Sequence, residues 1–439
     1  MSAAVCTLVW LALVGDFGPG ARLVSYNELA DDSACQRPES AGSFSLMAAQ
    51  LPLRNLLMQA RLDGEWNPRD ASQRKPDRMI RDPYAAYSAV AIDPNHDEVA
   101  MTDENLFNIW VYDRNIKSAP NQSSEPKRLI GGLNTKIEFQ CGLYIDPGNG
   151  DIYAVNNDTI DTLVVFSRQA VGDVRPDREL HTPHGTFGIA MDEEKQELFL
   201  TVQHDNAIVV YQKAAKGTEA PLRVIQGDDT GLADPHGMAL DTKRGLLYVT
   251  NHGSSHSVRA SETRGRRREE PPGFPLSRDN AVPGSGKIGP PSITVYAKDA
   301  KGDARPLRTI QGSLTQMNWP TAIAVDEDRN LIYVANDGAS SVLVFNGGAS
   351  GNAAPLRVIR GSASLVSNPT GIFLDKKHDE LWVANFGNHT AAVYPPDANG
   401  NVAPLRVVRS APPNQPVPGL GNPHPIAYDT KREQILVPN

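Results

Sequence analysis

Seven Pro-x-Arg starts, seven apolar runs closed by Asp and a repeat interval of about 49 residues predict an all-β fold, a seven-bladed β-propeller of four-stranded antiparallel blades. The strong copies of the first element are Pro221-Leu-Arg223, Pro306-Leu-Arg308, Pro355-Leu-Arg357 and Pro404-Leu-Arg406. Pro76-Asp-Arg78, Pro126-Lys-Arg128 and Pro176-Asp-Arg178 are weaker copies. The closing Asp stands at Asp93, Asp146, Asp192, Asp241, Asp326, Asp375 and Asp429, with gaps of 53, 46, 49, 85, 49 and 54.

Each repeat carries four short strands. Strand A ends at the repeated Asp, as in His236–Asp241, Thr321–Asp326 and Thr370–Asp375. Strand B ends at a repeated Asn, as in Leu247–Asn251, Ile332–Asn336 and Leu381–Asn385. Strand C ends at Tyr or Phe, as in Ile208–Tyr211, Ile293–Tyr296 and Val342–Phe345, and strand D starts at Pro-x-Arg. All are rich in β-branched and aromatic residues and are bounded by Gly, Asn, Asp or Pro, the pattern of strands and turns. Asp and Asn at strand ends can hydrogen-bond the turn backbone. Proline is tolerated at the start of an edge strand, so D is the outer edge of the blade. The apolar strand A, with small residues interleaved, fits the crowded centre.

The regular part opens with a D strand, Pro76 to Asp82, and closes just after a B strand, Gln434 to Asn439. One blade shared between the N- and C-terminal strands would therefore latch the ring and remove the open edge. Its C strand is missing; either a piece of residues 22–75 supplies it or the protein continues past Asn439. Residues 22–75 show no repeat and read as an extension of low order. The long gap holds an insertion at about 253–291, polar and Gly/Pro-rich, on the top face, with a lid or a floppy loop as its two readings.

Composition limits the partners. Net charge is −8, which argues against nucleic acid. The one basic run, Arg264 to Arg268, leads straight into Glu269 and Glu270 and reads as a solvated loop. Ala3 to Val14 is an apolar run of signal-peptide length, within a segment 1–21, but lacks a basic flank. It is too short to span a bilayer, and no transmembrane helix is expected. Cys6, Cys35 and Cys141 have no metal-ligand spacing and form no disulfide framework.

Tyr248-Val249-Thr250-Asn251 spells the motif of the YVTN-family β-propellers, and Tyr333–Asn336 and Trp382–Asn385 are close variants. Over residues 76–439 the chain resembles that family, and also NHL-repeat and lactonase-type seven-bladed propellers. Val202 and Asp103 replace the repeated Asn in two copies. The resemblance implies an exported bacterial scaffold: secreted, periplasmic or on the cell surface. Sugar-lactone hydrolases and metal- or cofactor-bearing oxidoreductases share the architecture, so the fold alone does not select a function. Lactonases of this shape use Glu, Asn and Asp around a divalent cation.

In a four-stranded meander the D–A and B–C loops share one face, the top. Eight of the ten histidines fall there: His181, His184, His236 and His424 in D–A connections, and His204, His252, His256 and His389 in or beside B–C connections. His96 and His378 fall in A–B turns. Polar residues that break the repeat are better candidates than the repeated Asp, Asn and Arg, which the turns themselves explain. The candidate ligand-binding residues are Glu104, Glu138, Gln140, His184, Gln203, His204, Asp205, His236, His252 and His424. His184, His204, His236 and His252 are the candidates for metal, because converging neutral imidazoles suit first-row transition ions.

No P-loop, GxGxxG, HExxH, CxxCH or Ser-His-Asp spacing occurs, and no cofactor is predicted beyond a candidate divalent metal. The expected function is an exported, monomeric binding or scaffold propeller holding an unidentified protein or small-molecule partner at the channel mouth. The alternatives are a metal-assisted hydrolase of lactonase type and a metal- or redox-carrying propeller.

Overall fold

A computed structural model describes residues 82–117, 122–158, 160–259, 273–277 and 280–415, and the backbone of strands Ala427–Asp429 and Gln434–Leu436. Six four-stranded antiparallel sheets follow one another along the chain. Their A strands are Tyr87–Asp93, Gln140–Ile145, Thr186–Asp192, Pro235–Asp241, Pro320–Asp326 and Pro369–Asp375. Their D strands start at the repeated Arg, at Arg128, Arg178, Arg223, Arg308, Arg357 and Arg406, so the preceding proline stays outside the ladder, which would need its missing N–H. This is the all-β propeller of four-stranded blades that the sequence predicts.

Both faces of the middle strands are apolar, because each blade is packed between two others. Along Leu331–Asn336, Ile332 and Val334 join a cluster with Ile293, Val295 and Ile310 of blade four. Tyr333 and Ala335 face the other way, into a cluster with Leu381, Val383 and Tyr394 of blade six. This is the period-two alternation of a strand with an apolar contact on each side.

Within the described residues, blade six meets blade one directly. A hydrophobic cluster joins Tyr87, Val90, Ile92 and Tyr112 of blade one directly to Trp382, Val393 and Val408 of blade six. The Arg114 guanidinium donates to Glu380 at 2.9 Å, and Ser124 N–H donates to the Arg409 carbonyl at 2.7 Å. Six blades are seen among the described residues, and the strands read as the shared blade lie partly outside them. Ala427–Asp429 and Gln434–Leu436, read as strands A and B of the latching blade, form a two-stranded sheet of their own. Residues 76–81 of the expected N-terminal D strand lie outside the described residues, as do the apolar N-terminal run and the Arg264–Arg268 stretch.

One side-chain hydrogen bond crosses each of the six junctions near the top of the A strands. Ser88 Oγ donates to the Gln140 carbonyl (2.9 Å), Asn157 Nδ2 to Thr186 (2.9 Å) and Thr201 Oγ1 to His236 (2.5 Å). Thr250 Oγ1 donates to Thr321 (3.1 Å), Thr321 Oγ1 to Pro369 (3.1 Å) and Thr370 Oγ1 to Tyr87 (3.3 Å), the last closing the ring. The approach that permits these bonds needs a small residue two places into each A strand. A Cβ on Gly188 would lie 2.3 Å from the His236 carbonyl, and one on Gly237 2.4 Å from the Thr321 carbonyl.

Gly237→Ala is expected to cost about 1–3 kcal/mol, as overpacking does, because the obstacle is backbone that cannot rotate aside. Gly286→Ala, with nothing within 4 Å of the new Cβ, should leave the unfolding midpoint in guanidinium unchanged. Equal midpoints for the two variants would contradict the packing argument.

Candidate functional site at the channel mouth

The A strands enclose a cavity of ≈ 70 Å3 lined from all the blades. Val90, Leu143, Ile189, Met238, Ile323 and Ile372 give it an apolar ring, one residue per blade. Polar chemistry therefore gathers above, where each A strand starts and each B strand ends. One residue past the B strands, the six blades carry Glu104, Asn157, Gln203, His252, Asp337 and Phe386. These differ at every blade, unlike the Asp, Asn and Arg of the repeat.

The repeated residues are occupied by the fold. Asn156 Oδ1 accepts from Glu138 N–H at 2.9 Å, Asn251 from Ala233, Asn336 from Asn318 and Asn385 from Ser367. These asparagines tie each D–A connection to its own blade. They therefore do not fit the Glu/Asn/Asp cation set that the lactonase resemblance implies. In four blades the repeated Arg lies over the strand B aromatic, as Arg223 over Phe199 and Arg406 over Trp382.

Glu104 sits against blade two, with Cys141 Sγ 3.7 Å from its Oε1. Burial pushes the Glu104 carboxyl up to about 8, and the nearby negative charges of Asp103 and Asp337 add to the rise. Burial also pushes the Cys141 thiol well up, followed by the charges of Glu104 and Asp158. Cys141 is therefore a thiol at neutral pH. Gln140, the first residue of its A strand, is fully buried, and both its amide oxygen and nitrogen lack a hydrogen-bond partner among the described residues. Other blades place proline at this register, opposite Asn251, Asn336 and Asn385.

The four histidines read as metal candidates come together in one arc. His184 and His204 have ring centroids 5.2 Å apart, tilted by 48°. His236 and His252 stack at 3.4 Å and 20°, and His252 stacks on Trp319 at 4.9 Å and 26°. Phe187 covers the other side of His236 at 4.3 Å. Burial lowers His236 to about 4, partly offset by its hydrogen bond to the Asp234 carbonyl, with His204 lowering it further. Burial lowers His252 to about 2, and His236 adds to that. Both are neutral imidazoles at physiological pH.

Two groups bring ligand atoms within 4.8 Å of one another: Asp158, His184 and His204, and Asp234, His236 and His252. The stacked pair does not suit chelation as it stands. Rings only 20° from parallel send their lone pairs nearly side by side, and their planes meet well outside either ring.

The remaining candidates scatter. Gln203 Nε2 lies 2.9 Å from His204 Nε2, and its Oε1 lies 3.5 Å from Asn157 Nδ2. Glu138 contributes its backbone to the Asn156 turn and belongs to neither histidine group. Asp205 is buried, and its carbonyl accepts from Gln226 at 2.8 Å, outward from the mouth. His424 lies outside the described residues. In the insertion, Ser254–Ser255 pairs with Lys287–Ile288, Leu276 bonds Gln226 and Phe274 stacks on His181. Its described part lies against the outer strands of blades two and three.

Sequence reasoning did not single out Asp158, Phe187 or Trp319. Trp319 had a signal: it holds a left-handed position (φ 52°) that Asp234 and Asn368 hold at the same register. Asp and Asn tolerate that conformation; a bulky side chain there is an outlier. Its indole is 58% exposed above His252.

A family model described as "Lactonase, 7-bladed beta-propeller" matches residues 292–439, about a third of the chain. The match takes in the last two strands of blade four and all of blades five and six, and includes Trp319 and Asp337. Glu104, Cys141, Asp158 and the four histidines precede it. A search of curated proteins finds no match.

The Glu104 carboxyl is raised from 4.5 to about 8, so the folded state holds a proton that the unfolded state has released. Its stabilising contribution is complete at acid pH and is lost as the pH rises through about 8. The melting temperature of Glu104→Gln should therefore rise relative to that of wild type as the pH goes from 5 to 8. A difference independent of pH would contradict the raised value.

Proposed function

We propose that the protein is an exported propeller that holds a small, uncharged, oxygen-rich ligand at its channel mouth. The feature that carries this reading is that the buried His236 and the partly buried Glu104 and His252 are all held neutral near pH 7 by their surroundings, Glu104 protonated and the two imidazoles unprotonated. They offer hydrogen-bond donors and acceptors without the desolvation that a buried charge would impose on a ligand. The Trp319 indole adds an exposed apolar face beside them. Asp337, and Asp158 of the neighbouring rim, disfavour an anionic ligand. Export is inferred from the apolar run Ala3–Val14 alone.

The lactonase match over residues 292–439 favours a second reading, ring-opening hydrolysis of a lactone held at the same place. Water adds to the lactone carbonyl, the ring C–O bond breaks, and the departing alkoxide needs a proton. Glu104, protonated at neutral pH, can donate it and regain one from solvent. The net change is lactone plus water to hydroxy acid.

Fluorescence titration with δ-lactones and with their open hydroxy acids tests both readings. Saturable quenching by the lactones, absent with the acid anions and lost in Trp319→Phe, supports the binding site. Acid release in a pH-stat, reduced at least about 100-fold in Glu104→Gln, supports hydrolysis. Quenching without acid release restricts the function to binding. Absence of both quenching and acid release would contradict the proposal.

A further inference from the structure

We infer that Asp158, His184 and His204 form a site for a first-row transition-metal ion on the rim between blades two and three. The three residues come from three separate segments. Asp158 follows strand Ile152–Asn156, His184 precedes strand Thr186–Asp192, and His204 follows strand Glu197–Val202. Their ligand atoms lie within 4.8 Å of one another, a separation that one ion can bridge after small side-chain rotations. The rings of His184 and His204 are tilted rather than stacked, so their planes intersect and both lone pairs can meet at one ion.

The fold does not ask for these side chains. Asp158 and His204 stand two residues past strand B, where blades four, five and six carry Gly253, Gly338 and Gly387. The chain instead makes room for them. Gly185 has φ +74°, and a Cβ there would lie 2.7 Å from His204 Nδ1, so the imidazole occupies space that only glycine leaves open. A second layer orients the ligands. Asp161 Oδ1 holds His184 Nδ1 at 3.0 Å, which places the proton on Nδ1 and leaves the lone pair on Nε2. Gln203 Nε2 donates to His204 Nε2 at 2.9 Å, so His204 joins the ion through Nδ1 once that amide turns over and its Oε1 takes the Nε2 proton.

Two imidazoles and one carboxylate select the metal class. Calcium and magnesium prefer all-oxygen sites, whereas Zn2+, Co2+, Ni2+ and Fe2+ accept this donor set. Three protein ligands leave at least one position for water, the arrangement of an open rather than a structural zinc site. This site is distinct from the lactone-binding reading, which rests on Glu104, His236, His252 and Trp319.

The test uses the full chain, expressed without a histidine tag and stripped with a chelator. Co2+ titration followed by visible absorption should give the d–d bands of a low-coordinate N/O site with one equivalent bound, and Zn2+ should displace it. His184→Ala and His204→Ala should each abolish the bands. Asp161→Asn should weaken binding about 10–100-fold while keeping one equivalent. His252→Ala should leave the bands unchanged. If either alanine variant fails to fold by circular dichroism, Asp158→Asn and Asp161→Asn carry the test. Absence of bands in wild type, bands that persist in folded His184→Ala or Asp158→Asn, or bands lost in His252→Ala would overturn the assignment. Lactone quenching of the metal-free protein reports separately on the channel mouth.

Discussion

A side-chain hydroxyl or amide on each blade reaches a backbone carbonyl at the start of the next blade's A strand, six times around, and the architecture depends on that contact. Each such buried bond is worth only about 0.5–1.5 kcal/mol net, but leaving its carbonyl unmet in a closed ring would cost about 1–3 kcal/mol. The bond fixes how closely neighbouring blades approach. That approach requires Gly142, Gly188, Gly237 and Gly371, or alanine at Ala89 and Ala322, at one register of each A strand. The apolar ring of Val90, Leu143, Ile189, Met238, Ile323 and Ile372 follows directly and fills the channel below the mouth.

A filled channel moves the chemistry to the rim. There the repeat stops dictating residue type, because the turn needs only its Asn and the D–A tie. The first position past each B strand varies freely through Glu104, Asn157, Gln203, His252, Asp337 and Phe386. Burial then acts on whatever stands there. It holds a proton on Glu104 and removes it from His236 and His252. A carboxyl kept neutral and imidazoles kept neutral are two outcomes of one physical cause, the cost of an ion in a dry site. Toward blades two and three the rim is more open, with the His184 side chain 42% exposed and carboxylates nearby, which suits a cation better.

Much of this was legible in the sequence. Every blade repeats the same turn chemistry, so Pro-x-Arg, the closing Asp and the closing Asn mark strands A, B and D, and loop order alone puts most histidines on one face. The closure was not legible. The number of blades in a ring depends on the angle between neighbours and on which edges meet, and Thr370 reaching Tyr87 is invisible in a count of repeats. Residues whose neighbours disguised them were also missed. Cys141 lies within an A strand, Asp158 ends an Asn-Asn-Asp run that reads as a turn, and Trp319 precedes a proline as loop residues do. Glu138 looked like Glu104 in sequence, but its part in the fold is to offer an N–H to Asn156.

Binding at the mouth turns on the neutrality of its inward-facing imidazoles, the buried His236 and the partly buried His252. Nitrogen-15 spectra of labelled histidines, followed between about pH 5 and pH 8 where ordinary imidazoles titrate, test it most directly. His236 and His252, identified by His236→Gln and His252→Gln, should keep the shifts of neutral imidazole across that range. Titration of either with a midpoint near 6.5 would show solvent at the mouth and contradict the account.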